Sequence, residues 1–354
     1  MTLALIGRSD RRISLLDISN LKKPVQLGDD IILPNNPISI TVNTTSKGSV
    51  AYVVSEGNLS IINLNLPKGP SKKEKPINLP LGASPNGVTI KYDSSIAYAL
   101  GNGGTVLFPI DLTASTPQLG NPITLPYTGS AIRFLHDNIL GVTAKDVPIF
   151  MRIQFSDATT TPPKIETLTL NTGCTAFAIS NTILYYTYTA GGRCLSCIQV
   201  NPITPPPAPP LPLYKISTTM FDEPITALAP SDILLEATLV AGKKIYYIKD
   251  NKILASFNLP QGSRAITSAD QQDYTYSSPN TSDNFIMQID LIGGSIVNIP
   301  MPWEGPYPCL TVFNPSTYGG IGSNRKKEKK PKKKGTPKKG SSCNQCKKCN
   351  RDYY

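Results

Sequence analysis

Residues 49–64, SVAYVVSEGNLSIINL, read as an apolar strand, a polar turn over Ser55, Glu56, Gly57 and Asn58, and a second apolar strand. Valine, isoleucine and tyrosine dominate both runs, and such side chains suit a pleated, packed backbone better than a helix. The same two-strand word returns at intervals of roughly forty to fifty residues, the period of a repeat fold. It reappears as Leu3–Ile6 with Ile13–Ile18, Ile96–Leu100 with Thr105–Phe108, and Ile139–Val142 with Ile149–Ile153. Later copies are Ile183–Tyr186 with Leu195–Val200, Ile233–Val240 with Lys244–Ile248, and the more polar Tyr274–Tyr276 with Phe285–Ile289.

A second word separates these pairs: an aliphatic residue, a proline, a short gap and a new strand. It reads Leu33-Pro34 before Ile38, Leu79-Pro80-Leu81-Gly82 before Val88, and Leu125-Pro126 before Ile132. It returns as Leu259-Pro260-Gln261-Gly262 before Ile266 and as Ile299-Pro300 before Leu310. Proline cannot donate to a ladder, so it marks the end of an outer strand, and glycine permits the turn that follows. First strands are expected near Pro37, Gly87, Ser130, Cys174, Pro224, Ser263 and Pro308. The last has no partners after it, whereas Leu3–Leu33 supplies three strands with no first strand before them. Closing a ring, with Pro308–Phe313 beside Leu3–Ile6, resolves both defects and removes the open edges of a linear array.

Residues 79–88, LPLGASPNGV, followed by Ser95–Ala99, resemble the YVTN-type β-propeller repeat, and Ala51–Val54 with Leu59–Leu64 is similar to its namesake strand and partner. The resemblance spans roughly residues 2–313 and is clearest in the second and third units. It implies an all-β, seven-bladed β-propeller over residues 1–313, in a family that runs from surface proteins to lactonase-like enzymes. A linker over 314–322 and a disordered Lys/Cys-rich tail over 323–354 complete the expected organisation.

The charge supports that division. The net charge is +11. Ser323–Tyr354 holds 13 Lys/Arg and two acids, and the other 322 residues hold 22 of each sign. All the basicity therefore sits in the tail, whose run RKKEKKPKKKGTPKK over 325–339 offers nothing to bury. Lys326, Lys327, Lys329, Lys330, Lys332, Lys333, Lys334, Lys338 and Lys339 form a cationic arm that condenses on polyanions, whether nucleic acid, an anionic surface or an acidic protein. Aromatics are missing until Tyr353, so the arm lacks stacking platforms for base recognition. A solubilising or localisation tail is the bland alternative.

Other features are thinner. The tail cysteines Cys343, Cys346 and Cys349 have three readings: zinc with one outside ligand, disulfides to another chain, or no dedicated role. Cys194 and Cys197 are spaced as CxxC, but three residues apart on a strand point to opposite faces, which suits neither a disulfide nor chelation. With Cys174 and Cys309 they read as buried thiols of a reducing compartment. No apolar window is long enough to span a membrane. The N-terminus lacks a basic n-region and long apolar core, so a cytoplasmic location is expected, with association to a cell or particle surface left open.

Against catalysis, the chain has a single histidine, His136, and no HxxxH, paired-carboxylate or nucleophile-elbow pattern. Lactonase-like relatives imply a histidine with arginine and acidic partners at the channel mouth, which here nominates His136, Arg133, Arg264 and Glu223, with Asp222. Arg133 and Arg264 lie in expected innermost strands, where they could hold an anion or pair with acids of neighbouring blades. The proline-rich insertion Pro202–Pro212 reads as a stiff loop or a docking peptide for an aromatic groove, and Lys68–Pro76 as a solvated charged loop. The preferred expectation is an interaction module, its disc binding a protein partner and its tail a polyanion; a lactonase-like hydrolase is the alternative.

Overall fold

The computed structural model describes residues 1–315 except 46–47, 72, 74, 92, 137, 146, 156–161, 170–175, 180–183, 189–191, 201–212, 231–235, 250–251, 269–273 and 280. The chain divides into a compact unit, Met1–Gly319, and a second, Gly320–Tyr354, which lies outside the described residues with its lysines and cysteines. The proline-rich insertion and Cys174 lie outside them too.

The compact unit is all-β. Among the described residues its strands form seven antiparallel sheets of four or five strands, and the one helical element there is a single 3-10 turn at Asn102–Gly104. The sheet centred on the opening stretch runs Pro37–Thr45, Gly48–Ser55, Asn58–Asn63 and Ile77–Pro80 in spatial order. Each inner strand touches the inner strand of the sheet before and after it, from Pro37–Thr45 through Gly87–Ile90, Gly129–His136, Ala176–Ile179, Ile225–Pro230 and Ser263–Ser268 to Cys309–Phe313. Cys309–Phe313 in turn touches Pro37–Thr45, so the circuit closes. This is a β-propeller. No helix among the described residues is long and apolar enough to cross a membrane.

The C-terminal strand pairs antiparallel with the N-terminal one, Leu3 opposite Phe313, Ala4 opposite Val312, Leu5 opposite Thr311 and Ile6 opposite Leu310. Alternate side chains of a strand point to opposite faces. Accordingly Ala4, Ile6, Leu310 and Val312 pack with Tyr276, Ile286 and Ile299 of the preceding sheet. Leu3, Leu5 and Phe313 pack with Ala51, Val53 and Ile62 of the following one. Both faces of this sheet are thus covered by its neighbours, which is why its strands read as unbroken apolar runs. Each fully buried Leu or Ile contributes roughly 1.5–3 kcal/mol to holding the seam shut.

Four details differ from the sequence reading. Three inner strands begin at the expected residue and the others within two residues of it: Pro224 and Pro308 stand just before their strands, where a missing N–H costs no ladder bond, whereas Gly129 joins its strand. The outermost position of the first sheet is split between Val25–Gln26 and Ile31–Ile32, both paired with Arg12–Asp17. The strand expected over Ile233–Val240 is observed as Glu236–Ala241, one residue longer at its end, with 231–235 outside the described residues. The Lys68–Pro76 loop is not merely solvated: Gly69 and Pro70 are buried, and the Asp29 amide donates to the Pro70 carbonyl at 2.8 Å. There Gly28 (φ +68°) and Gly69 (φ +85°) let two backbones cross; a Cβ on Gly28 would stand 2.2 Å from the Pro70 carbonyl oxygen, and one on Gly69 2.4 Å from the backbone of Leu27.

Candidate binding face and channel mouth

All inner strands begin on one face of the ring, here termed the upper face, because each is entered by a connection from the outer strand of the sheet before. Alternation of direction brings the hairpin between second and third strands to the same face. The two words of the sequence repeat therefore meet there: the proline-marked connections and turns such as Glu56-Gly57 and Asn102–Gly104. The contacts follow. The Ser84 amide donates to Glu56 Oε1 at 2.9 Å, the Leu81 amide to the Gly57 carbonyl at 2.9 Å, and the Asn102 amide to the Leu81 carbonyl at 3.0 Å.

Four inner strands carry an irregularity at the upper end, with Ile38, Ser130, Thr226 and Arg264 as the extra residues between ladder pairs. A bulge bends its strand and increases the local twist. Ser130 Oγ lies 2.8 Å from Thr143 Oγ1, and Thr226 Oγ1 donates to the Val240 carbonyl at 3.4 Å, both reaching onto the second strand. Ile38, with no such option, is exposed. Two pockets open on this face. One of about 320 Å³ is lined by Ser9, Asn36, Pro37, Ile38, Pro306 and Pro308. The other, of about 370 Å³, is more polar and includes Thr226, Lys243, Gln261, Ser263 and Thr281. In it Thr281 Oγ1 bonds Gln261 Oε1 at 2.6 Å and Asp283 Oδ2 at 2.5 Å, and hydrogen bonds from Thr281 and Gln261 hold the Asp283 carboxyl below its ordinary pKa.

The ring seam has its own clasp on the upper face. Arg8, in the hairpin after Leu3–Gly7, bonds Asp10 at 2.8 Å and Asp30 at 3.0 Å, with Arg12 at 3.6 Å from both acids. Its guanidinium lies 4.6 Å from the ring centroid of Trp303, in the connection leading to Cys309–Phe313. Asp30 also accepts from Ser14 at 2.8 Å and Gln26 at 2.9 Å. With Arg8 itself 13% exposed, this cation over an aromatic face is worth about 1–2 kcal/mol. Sequence reasoning missed this cluster; the only tryptophan and a basic hairpin were its visible signals.

The nominated catalytic residues do not converge. Arg264 is the second residue of Ser263–Ser268, at the upper end. Arg133 is exposed midway along Gly129–His136, opposite Gly141. His136 closes that strand at the lower end, opposite Ile139. Six residues separate Ser130, at the level of Arg264, from His136, so the axial gap is about 17–20 Å at strand rise. Asp222 and Glu223 are exposed on the upper connection before Ile225–Pro230, but Glu223 packs against Gly242 on the hairpin beyond. Burial first, and the charges of Asp222 and Glu223 second, raise the pKa of Tyr246 on the third strand. That places the acids over the sheet, not the channel. Cys194 and Cys197 both lie within Cys194–Val200, and Cys194 and Cys309 are buried. Among the described residues no group of three or more His, Cys, Asp or Glu could hold a metal ion.

No family model matches the chain, and no curated protein matches it. Solved structures do. The chain is similar to the β-propeller domain of Cps50 (Swd1) from Myceliophteria thermophila, with a TM-score of 0.63 at 11% identity over 78% of this chain and 88% of that one. It is similar to dihydro-heme d1 dehydrogenase NirN in complex with DHE, with a TM-score of 0.56 at 12% identity over 90% and 75%. It is also similar to BBS1N in complex with ARL6DN, with a TM-score of 0.54 at 11% identity over 84% and 86%. At such identities the likeness shows the propeller fold alone.

Proposed function

We propose that this protein is a non-enzymatic interaction module, a seven-bladed propeller of the YVTN-repeat type whose upper face binds a protein partner and whose lysine-rich C-terminal segment fastens it to a polyanion. Each of the seven sheets is read as one blade. The observation that carries the proposal is the partition of charge: a body balanced at 22 bases and 22 acids, and a tail of 13 bases and two acids. A polybasic segment that neutralises several phosphates binds with a steep salt dependence and little sequence preference. The scattering of His136, Arg264 and Glu223 over two ends of the ring favours binding over the lactonase-like reading, since acid–base chemistry needs its groups within hydrogen-bond reach of one reacting atom. Cys343, Cys346 and Cys349 have three readings, a zinc site, links to a second chain or no dedicated role, and native mass spectrometry of reduced and unreduced chain distinguishes them by mass.

The test is a salt titration of binding to duplex DNA, heparin and anionic vesicles by the wild-type chain and by one with the nine lysines of 326–339 changed to Gln. The expected result is loss of most affinity and of most of the salt slope in the variant. Equal binding by the two chains overturns the tail's role. Turnover of sugar lactones by the wild type that is abolished in His136→Ala overturns the non-enzymatic reading.

A further inference from the structure

A second recognition surface is built into the ring itself, away from both the upper face and the tail. In the second sheet the strand Asn58–Asn63 runs two residues past its outer neighbour, which pairs only from Asn58 opposite Pro80 to Ile61 opposite Ile77. Beside the overhang lies a groove of about 380 Å³, lined by Ile31, Val50, Ile61, Ile62 and Ile77 and rimmed by Lys75. The overhang exists because the chain leaves the sheet after Asn63 and crosses to the first sheet, where the Gly28–Gly69 contact and the Asp29–Pro70 hydrogen bond hold it. Residues 64–76 carry four lysines and one acid. Lys68, Lys73 and Lys75 are exposed on this loop, which is held at Gly69 and Pro70, and Lys75 stands at the rim of the groove.

We propose that this groove docks an acidic peptide segment of a partner protein, with one aliphatic or aromatic side chain seated on the isoleucines and flanking Asp or Glu side chains drawn to Lys75 at the rim and to the exposed Lys68 and Lys73 of the same loop. The chemistry selects the occupant. A nucleic acid would satisfy the lysines, but the lining holds no aromatic ring on which a base could stack, and a basic peptide is repelled. An acidic peptide with an apolar anchor satisfies both halves of the surface at once. The inference stands whether or not the tail binds polyanions, because none of these residues belongs to the tail.

The experiment is fluorescence anisotropy on the full-length chain, with a fluorescein-labelled peptide of sequence EEDDLDDEE, its Leu→Ser counterpart, and a labelled single-stranded DNA as probes. Wild type is expected to bind the leucine peptide about tenfold more tightly than the serine peptide, the worth of burying one leucine side chain. The K73E/K75E variant is expected to lose about tenfold for the leucine peptide, through loss and reversal of two exposed charge pairs, while DNA affinity stays within about twofold. Equal affinity for the two peptides overturns the docking groove. Unchanged peptide binding by K73E/K75E overturns it as well, and assigns the binding to the tail. A parallel loss of DNA affinity in that variant means the lysines read phosphate, and this too overturns the peptide assignment.

Discussion

Introducing cysteines at Ala4 and Val312 tests the ring seam in register. The two residues face each other across the antiparallel pair, both buried. Directly opposed residues in such a pair stand with Cα atoms about 4.5 or 5.5 Å apart, depending on which kind of pair they form, and either spacing falls inside the window for a disulfide. The bond would close a loop of about 300 residues, for which the chain-entropy estimate is about 5–6 kcal/mol relative to the reduced protein. Ala→Cys adds an atom and Val→Cys removes one, each costing about 1 kcal/mol in the reduced state. With an unfolding entropy of about 2.1 cal/mol/K per residue, some 310 residues give about 0.65 kcal/mol/K, so the oxidised form should melt roughly 8 °C above the reduced one. The assay pairs thermal melts with and without reductant with peptide mapping, which identifies the 4–312 link among the seven native cysteines. A control with cysteines at Ala4 and Thr311 should not cross-link, because a one-residue slip turns the side chain to the other face. Failure of the first pair to link, or equal linking by the control, refutes the seam and with it the closed ring.

Glu166 contributes to the pH dependence of stability through an ion pair with a buried partner. Glu166 lies opposite the buried Arg152 and bonds it and Lys164; burial alone would raise the Glu166 pKa, but those two partners outweigh it and hold the carboxyl below its ordinary value. A depressed folded pKa stabilises above the unfolded value of about 4.3 and is lost as pH falls through the folded value, so Glu166→Gln should flatten the acid limb of a stability–pH curve and cost about 1.5–3 kcal/mol at neutral pH. An acid limb as steep as wild type in urea titrations refutes it. Gly69→Ala places a Cβ against the Leu27 backbone at a positive φ and should cost more than about 1 kcal/mol, with faster tryptic cleavage at Lys68 and Lys73; unchanged cleavage rates refute the docked loop. Arg8→Met should cost about 2 kcal/mol by leaving Asp30 with weaker partners and Trp303 without its cation, read as a shifted urea midpoint.

What could be read in the residues was local. Leu79-Pro80-Leu81-Gly82 ends one strand and turns to the next wherever it stands, so the inner strands starting at Pro37, Gly87 and Ser263 were visible in proline, glycine and a following aliphatic run. The seam was legible by subtraction, from a first strand without partners and partners without a first strand. The bulges at Ile38, Ser130, Thr226 and Arg264 were not, since nothing in Ser-Ala-Ile or Thr-Ala-Leu distinguishes a regular start from one that must splay around a channel mouth. Nor was the contact of Arg8 with Trp303, which joins residues nearly the whole ring apart in sequence and adjacent in space. Lys68–Pro76 misled for the opposite reason: its lysines are exposed as expected, and the feature that holds it is two glycines and a carbonyl, which carry no hydropathy signal.

The nominated catalytic set is spread along the inner strands for the same reason. Composition can place a histidine and an arginine in inner strands, but not at one height. Every inner strand runs the same way through the ring, so a residue's rank in its strand fixes its depth, and His136 ranks last in Gly129–His136 while Arg264 ranks second in Ser263–Ser268. A few residues of rank amount to more than 10 Å, which no side-chain rotation recovers. Recognition asks less of depth. The upper-face connections and turns lie at one level by construction, whatever residues they carry, and the lysine loop needs only its glycine crossing to hold its place. A chain that keeps strand and turn words while varying the residues between them preserves surfaces more readily than a reacting constellation. On this body the surfaces that can be built from such parts are the proline-lined mouth, the polar pocket at Gln261 and Thr281, and the isoleucine groove beside Lys75.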